Sequence, residues 1–362
     1  MLLLNNEVIE KVLDMETTMA ALEKSYLGIA NGTATCRPRI DVCIPTSDIA
    51  KEYRWGTMEG GSTDGYFAIR MKSDILHYET APDGTRTQEK FCGEPGLFCG
   101  LIFLTSVETG MPLALINDGV LQHMRVGGDG GLGVKHMARK DAEVVGMLGS
   151  GGMADTHMLS FTAARPIKRL QVYSPTATNR EAFAARMADR HGIEAAICDR
   201  PEDVYKGAHI VAACTDAVQP VLNGDLLEPG SHVVNIGGGG LPDHATLGRV
   251  DVYLRMGDAP PAEGHDFFDD EYLSWRVTGE TDAPRKKKRA HGNMLPDKRV
   301  TLKELADGKP GRTSDDQITW SERGNLQGAQ FYAVAARAYE AAKAQGLGRK
   351  IPDAWILQTI RN

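Results

Sequence analysis

Arg70 and Lys72 stand two residues apart in Tyr66-Phe67-Ala68-Ile69-Arg70-Met71-Lys72, a mostly apolar run suited to a β-strand. Side chains two apart on a strand share one face. Two like charges there need either an anion or the solvent of an edge strand, and the residues alone fit both. Arg37-Pro38-Arg39, just ahead of the apolar stretch 40–44, poses a similar choice. It fits a solvated loop, or guanidinium groups that grip a carboxylate through two parallel hydrogen bonds.

A different chemistry is written into residues 144–154. An apolar run, Val144 to Leu148, ends in Gly149-Ser150-Gly151-Gly152, and Met153 to Ala164 reads as a helix. That is the order of a dinucleotide-binding unit. Gly149 permits the tight turn, Gly151 lets backbone approach a pyrophosphate, and Ala154 keeps the helix close to its sheet. The free N–H groups of the helix start, with Ser150, Gly152 and Met153, favour the phosphates. The next strand candidate, 168–174, ends in Ser174, Pro175 and Thr176, with no acid to bond a ribose 2′-OH. Ser174, Thr176, Asn179 and Arg180 suit a 2′-phosphate instead, which predicts NADP rather than NAD. The plainer reading makes Arg180 a solvated residue in the first turn of a helix.

These groups need elements to hold them. From 142 to about 252, strand and helix candidates alternate as in a doubly wound sheet. The strands are 144–148, 169–173, 209–213, 232–236 and 250–254; the helices include 153–164, 179–191 and 201–206. Two loops at strand ends should line the nucleotide crevice: Cys214-Thr215-Asp216, and Gly237-Gly238-Gly239-Gly240 ahead of Asp243. Before this unit, residues 7–30 read as one long amphipathic helix closed by Asn31-Gly32. Strand candidates follow at 40–44, 66–72, 97–105 and 113–117. Residues 120–138 hold His123, Arg125 and a glycine-rich middle, Gly127 to Gly133, which makes a poor isolated helix and suggests close approach of a ligand or another backbone. Residues 258–311 break the pattern as a polar insertion with the run Arg285-Lys286-Lys287-Lys288-Arg289, read as a solvated loop. A final alanine-rich helix spans 324–346. The fold class is therefore α/β: a Rossmann-type doubly wound parallel sheet, residues 136–319, inserted into a discontinuous α+β domain made of 1–135 and 320–362.

The 362 residues suffice for two substantial cores. A net charge of −7 argues against general nucleic-acid binding, which needs a basic face. No run approaches the ~18 apolar residues of a membrane span. The start, Met1-Leu2-Leu3-Leu4 followed by Asn5, Asn6 and Glu7, does not read as a signal peptide. Six cysteines without a C-x-x-C pair suggest a reduced, cytoplasmic protein, with no metal site.

With these stretches placed, the chain resembles the ornithine cyclodeaminase/mu-crystallin family. The likeness lies in 145–154, 172–183 (V-Y-S-P-T-A-T-N-R-E-A-F), 227–238 (L-E-P-G-S-H-V-V-N-I-G-G), Gly311-Arg312-Thr313-Ser314-Asp315-Asp316, the Arg37-Pro38-Arg39 stretch and 111–139. It implies a homodimer whose outer segments form the dimerisation and substrate domain, and a cationic site for a substrate carboxylate. Arg39 and Arg125 match family arginines, and Arg70 falls where the family has a lysine, with Lys72 one same-face step further. Three departures stand out. Gly239 replaces the aspartate after the glycine pair, Val126-Gly127-Gly128 follows Arg125 in place of a threonine-containing turn, and the aspartate of the last helix is missing in Gly324 to Gln330. The resemblance then implies hydride transfer to a C=N bond beside a carboxylate: an NADP-dependent imine reductase or amino-acid dehydrogenase acting on a small imino or keto acid. Arg39, Arg70, Lys72 and Arg125 would bind the substrate, and the insertion with Tyr53-Arg54-Trp55 would line the side-chain end of the pocket. Arg70, Lys72 and Asp243 are the catalytic candidates: Lys72 or His123 would donate the proton, and Asp243 would orient the nitrogen or cap a helix. The alternatives are a cyclodeaminase-like lyase that recycles bound NAD, and a non-catalytic binding protein of the mu-crystallin type.

Overall fold

The computed structural model describes residues 1–80, 86–217, 219–236, 242–264, 272–280 and 295–360. The first part of the chain contributes β1 (Leu2–Leu4), α1 (Asn6–Val12), α2 (Met15–Ala30), β2 (Ala34–Cys36), β3 (Arg39–Pro45), β4 (Glu52–Ser62), β5 (Tyr66–Thr80), β6 (Arg86–Phe91), β7 (Cys99–Ser106) and β8 (Pro112–Asn117). The helix expected over 7–30 is two helices. Leu13 ends the first, and Asp14 opens the second by accepting from the Thr17 N–H at 2.6 Å, a cap of about 1 kcal/mol. Strands β3, β4, β5, β7 and β8 run antiparallel in that order, and β1 adds parallel to β8.

A long helix, α3 (Gly119–Met137), leads into the second unit. There follow β9 (Val144–Leu148), α4 (Gly152–Ala164), β10 (Arg169–Tyr173), α5 (Ala177–His191), β11 (Glu194–Ile197), β12 (Ile210–Ala213), β13 (His232–Asn235), α6 (His244–Arg249) and β14 (Val252–Arg255). The rest of the chain adds β15 (Tyr272–Arg276), β16 (Arg299–Thr301), α7 (Leu302–Ala306), β17 (Thr319–Glu322), α8 (Gln327–Ala344) and β18 (Arg349–Lys350). The second sheet is parallel throughout, in the order β11-β10-β9-β12-β13-β17-β14-β16. The chain order reverses between β9 and β12, where a doubly wound sheet opens its binding crevice. Strand β17 carries this sheet to Glu322, past the expected boundary at 319. Residues 201–206, expected as a helix, hold a short 3-10 turn, Pro201–Tyr205.

The insertion is more than a solvated loop. Its β15 pairs in parallel with β3 of the first sheet, Tyr272 opposite Arg39 and Arg276 opposite Cys43. Its β16 pairs with β14 of the second. The run 285–289 lies outside the described residues.

The glycine-rich stretch forms an unbroken helix because its glycines are contact points. A Cβ on Gly127 would come within 2.5 Å of the Thr156 carbonyl oxygen, and one on Gly131 within 2.5 Å of the Ser160 side chain. Backbone of α3 thus lies against α4, at a cost of about 1 kcal/mol in helix propensity for each glycine. The packing of the buried helix offsets that cost.

Candidate active site

One face of the first sheet alternates buried polar residues with glycine. On β4, Glu52, Arg54, Gly56, Met58 and Gly60 are buried and the residues between them are not. On β5, Arg70, Lys72 and Asp74 occupy the same face, with Met58 opposite Arg70, Gly56 opposite Lys72 and Arg54 opposite Asp74. Lys72 lies between two glycines, since its neighbour on β7 is Gly100. A side chain at Gly100 would collide with the Asp118 carboxylate, and one at Gly56 would approach Asp41 Oδ1 to 3.0 Å. The glycines make room for the carboxylates that partner the cations.

Those pairings are definite. Arg70 donates to Asp118 through Nε at 2.6 Å and Nη2 at 2.5 Å. Arg39 donates through Nε to Asp41 at 2.7 Å, while its buried Nη2 has no hydrogen-bond partner. Lys72 pairs with Asp74, which also takes a 3.4 Å contact from Arg54. Buried charges in such company shift. Burial, then the Lys90 charge, pulls Lys72 down to about 6. Lys90 keeps an exposed side chain, yet the protein packed around it and the Arg54 charge lower its pKa as well.

Arg125 reaches the same region from α3. It donates to Gln330 of α8 and to Gln122 at 2.9 Å, and its guanidinium lies 4.6 Å from the centre of the Phe331 ring. Arg70 approaches the same ring at 5.3 Å. Behind Gln330, Tyr26 donates to Asp129 at 2.5 Å and accepts from Gln330 Nε2 at 2.6 Å. Burial raises the pKa of both Tyr26 and Asp129. The described geometry thus gathers Arg39, Arg70, Lys72 and Arg125. Arg54 lies in the stretch expected at the substrate end of the pocket; sequence reasoning missed Lys90, Asp118, Gln330 and Phe331, whose places depend on packing between distant elements.

The nucleotide turn has the features such a ligand needs. Gly149 has φ +115° and passes so close to the Cys214 carbonyl that no side chain would fit. Gly151, which precedes α4, has open space where a Cβ would be, and no side chain caps the helix. Ser150 is half-buried, and Met153 lies half-buried in the first turn. Beyond β10, Ser174 is buried, and Thr176 and Asn179 are exposed at the start of α5, again without a side-chain cap. Arg180 folds back onto the Ser174 carbonyl at 3.0 Å and onto Asp199 at 3.1 Å, with a buried Nε left unpartnered. Thr215 accepts from the Ala217 N–H at 3.2 Å. Gly237 and Gly238, like Gly239, lie outside the described residues. The residues present fit a dinucleotide.

Two expectations narrow. Asp243 caps α6: one carboxylate oxygen accepts from the Thr246 N–H at 3.0 Å and the other from the Gly224 N–H at 3.2 Å. Of the two roles expected for Asp243, the contacts shown are those of the helix cap. His123 faces the nucleotide turn, its Nε2 within 2.8 Å of where a Cβ on Gly152 would lie, and not the Lys72 cluster.

Comparison with known proteins bears on this geometry. The pattern of the ornithine cyclodeaminase/mu-crystallin family matches residues 94–326. The chain belongs to that family. The Delta(1)-pyrroline-2-carboxylate reductase of Bacillus cereus (strain ATCC 14579) is 28% identical over 258 residues, 70% of this chain and 74% of the relative. The alanine dehydrogenase of Archaeoglobus fulgidus is 26% identical over 356 residues, 97% of this chain and 98% of the relative. Among solved structures, the Thermococcus litoralis Delta(1)-pyrroline-2-carboxylate reductase in complex with NADH and L-proline superposes with a TM-score of 0.72. It is 22% identical and covers 97% of this chain and 100% of its own.

Proposed function

We propose that the protein reduces the C=N bond of an imine derived from an α-keto acid, linear or cyclic, to the amino acid with NADPH. The reverse reaction is amino-acid dehydrogenation. Imine, NADPH and one proton give amine and NADP+. The observation that carries the reading lies on α3. His123 abuts the nucleotide turn, and Arg125 of the same helix joins the buried cations. One helix therefore touches both the nucleotide turn and the cationic face.

Bound nucleotide supplies the hydride. The chain's own residues then have distinct tasks. Arg39, Arg70 and Arg125 hold the α-carboxylate; Arg39 Nη2, buried without a partner, is the atom most in need of one. Holding the carboxylate aligns the reacting carbon, an effect that reaches about 7–11 kcal/mol in favourable systems. Lys72, with its pKa drawn to about 6, exchanges a proton at the substrate nitrogen. Arg70 keeps Asp118 from competing for that proton. Relatives named as a pyrroline-2-carboxylate reductase and an alanine dehydrogenase support an NAD(P)-dependent oxidoreductase and both imine forms. The preference for NADPH rests on the missing acid after β10 and on exposed Thr176 and Asn179 beside Arg180. We also take the working unit to be a homodimer, as the family resemblance implies.

The test is nucleotide absorbance with NADPH and NADH separately, against α-keto acids with ammonia or methylamine and against five- and six-membered cyclic ketimine carboxylates. Oxidation of NADPH that requires the imine is expected. Ser174→Asp should shift preference toward NADH by repelling a 2′-phosphate. Ammonia release from ornithine without net change in nucleotide would overturn the reductase reading in favour of a lyase.

A further inference from the structure

The cations on the sheet face outnumber what one α-carboxylate requires. Arg39, Arg54, Lys72 and Lys90 influence one another, and their described carboxylates are Asp41 and Asp74. With Lys72 drawn toward its neutral form, the cations Arg39, Arg54 and Lys90 exceed those two carboxylates by one positive charge. Arg70 and Arg125 meet over the Phe331 ring, and Arg39 lies over Gly56 beside Lys72, where its charge acts on Arg70 and also on Arg54 and Lys90. Arg54 and Lys90 lie on the other side of Lys72. Arg54 is on β4 facing Asp74, and Lys90 is on β6 two register steps along, opposite Leu76. Arg54 is 4% exposed, its contact with Asp74 is long at 3.4 Å, and its Nε has no partner. Asp74 Oδ1 is likewise unpartnered, so the pair is not a closed ion pair. A buried guanidinium in that state is a costly way to stabilise a fold and a good way to receive an anion.

From this arrangement we infer that the site takes imines with a second carboxylate, held by Arg54 and Lys90, so that the substrates are dicarboxylic imino acids. The inference rests on the reading of Arg39, Arg70 and Arg125 as the α-carboxylate group. Lys72 and Asp74 then lie between the two carboxylates, where the reacting nitrogen would be. A second carboxylate would also offset the Arg54 and Lys90 charges that now hold Lys72 toward its neutral form. Binding of the correct substrate would thereby restore the proton that reduction consumes.

Two measurements separate this inference from the reading it rests on. Calorimetric titration with succinate and with butyrate needs no turnover. Succinate should bind at least tenfold more tightly, and that ratio should fall at least tenfold in Arg54→Met. Because Arg54 is buried and its loss could impair folding, Lys90→Gln, at an exposed side chain, is the second variant and should reduce the ratio in the same sense. Equal affinity for the two acids, or a ratio unmoved in a folded Lys90→Gln, overturns the second subsite. Turnover is then compared for imines of oxaloacetate and 2-oxoglutarate against those of pyruvate and 2-oxobutyrate. Higher kcat/KM for the dicarboxylic set supports the inference, and equal or lower values overturn it. Silence on every imine, with the succinate preference intact, leaves the anion subsite standing and overturns the reductase reading instead.

Discussion

Lys72 is the residue whose chemistry owes most to its surroundings. An ordinary lysine ammonium is a poor proton donor at neutral pH; here burial and the Lys90 and Arg54 charges draw the pKa from 10.5 to about 6. Stability must follow. Between about pH 6 and 10 the unfolded chain carries a proton that the native Lys72 lacks, so stability rises with pH across that window, and below it the cost of the buried ammonium is fully present. Thermal unfolding over that range should show wild type gaining on Lys72→Met as pH increases. A difference that stays flat, or runs the other way, would mean Lys72 is ordinary. Lys72→Arg, which cannot release a proton at these pH values, should remove the corresponding midpoint from the pH profile of reduction. Arg125 is held by Gln330 and the Phe331 ring. Arg125→Leu should lower kcat/KM by about 30-fold or more, the scale of a buried charged contact to a ligand carboxylate. Gln330→Leu, which leaves Arg125 in place but loosens it, should lower it less, and steady-state kinetics on both variants rank the two.

Helix α3 shows how an element unfavourable in isolation becomes the hub of a site. Its glycines bring its backbone against α4, which sets the nucleotide turn beside His123. Gly127→Ala gains about 1 kcal/mol of helix propensity but places a methyl against the Thr156 backbone. Overpacking of that kind costs about 1–3 kcal/mol, so denaturant unfolding should show a net loss, with weaker NADPH binding alongside. The same helix marks where the sequence could be read. The parallel sheet was legible because apolar runs, a glycine turn and helix patterns alternate along one continuous segment; β9 and β10 match the strands expected at 144–148 and 169–173. The buried face of β4 was not. Arg54 could be placed at the pocket but not on a buried strand, because pattern rules assume that buried strand faces are apolar. Strand β17, which lies between β13 and β14 in the parallel sheet, follows a long insertion that hides its kinship with them. Arg39, Arg70, Lys72 and Arg125 could be picked out by residue type and resemblance. Their partners Asp118, Gln330 and Phe331 depend on how distant elements pack, which periodicity does not report.

At the scale of the whole molecule, a chain of net charge −7 keeps a cationic face inside it. No helix among the described residues is long and apolar enough to cross a membrane. The insertion matters to that face through one contact: Arg276 of β15 pairs with Glu52, a buried carboxylate at the end of β4. Arg276→Met would leave Glu52 buried without this partner and disturb the strand that carries Arg54. The expected result is a raised KM for the imine with an unchanged Kd for NADPH, read by kinetics and by nucleotide fluorescence titration. Strand β15 has a consequence for the chain path too. The backbone leaves the parallel sheet at β14, lies down beside β3, and rejoins the parallel sheet at β16. The insertion therefore adds one strand to each sheet, the first of them on the flank where Arg39 stands. The insertion is thus anchored at both ends of its described course, by β15 to the edge of the substrate sheet and by β16 to the edge of the nucleotide sheet.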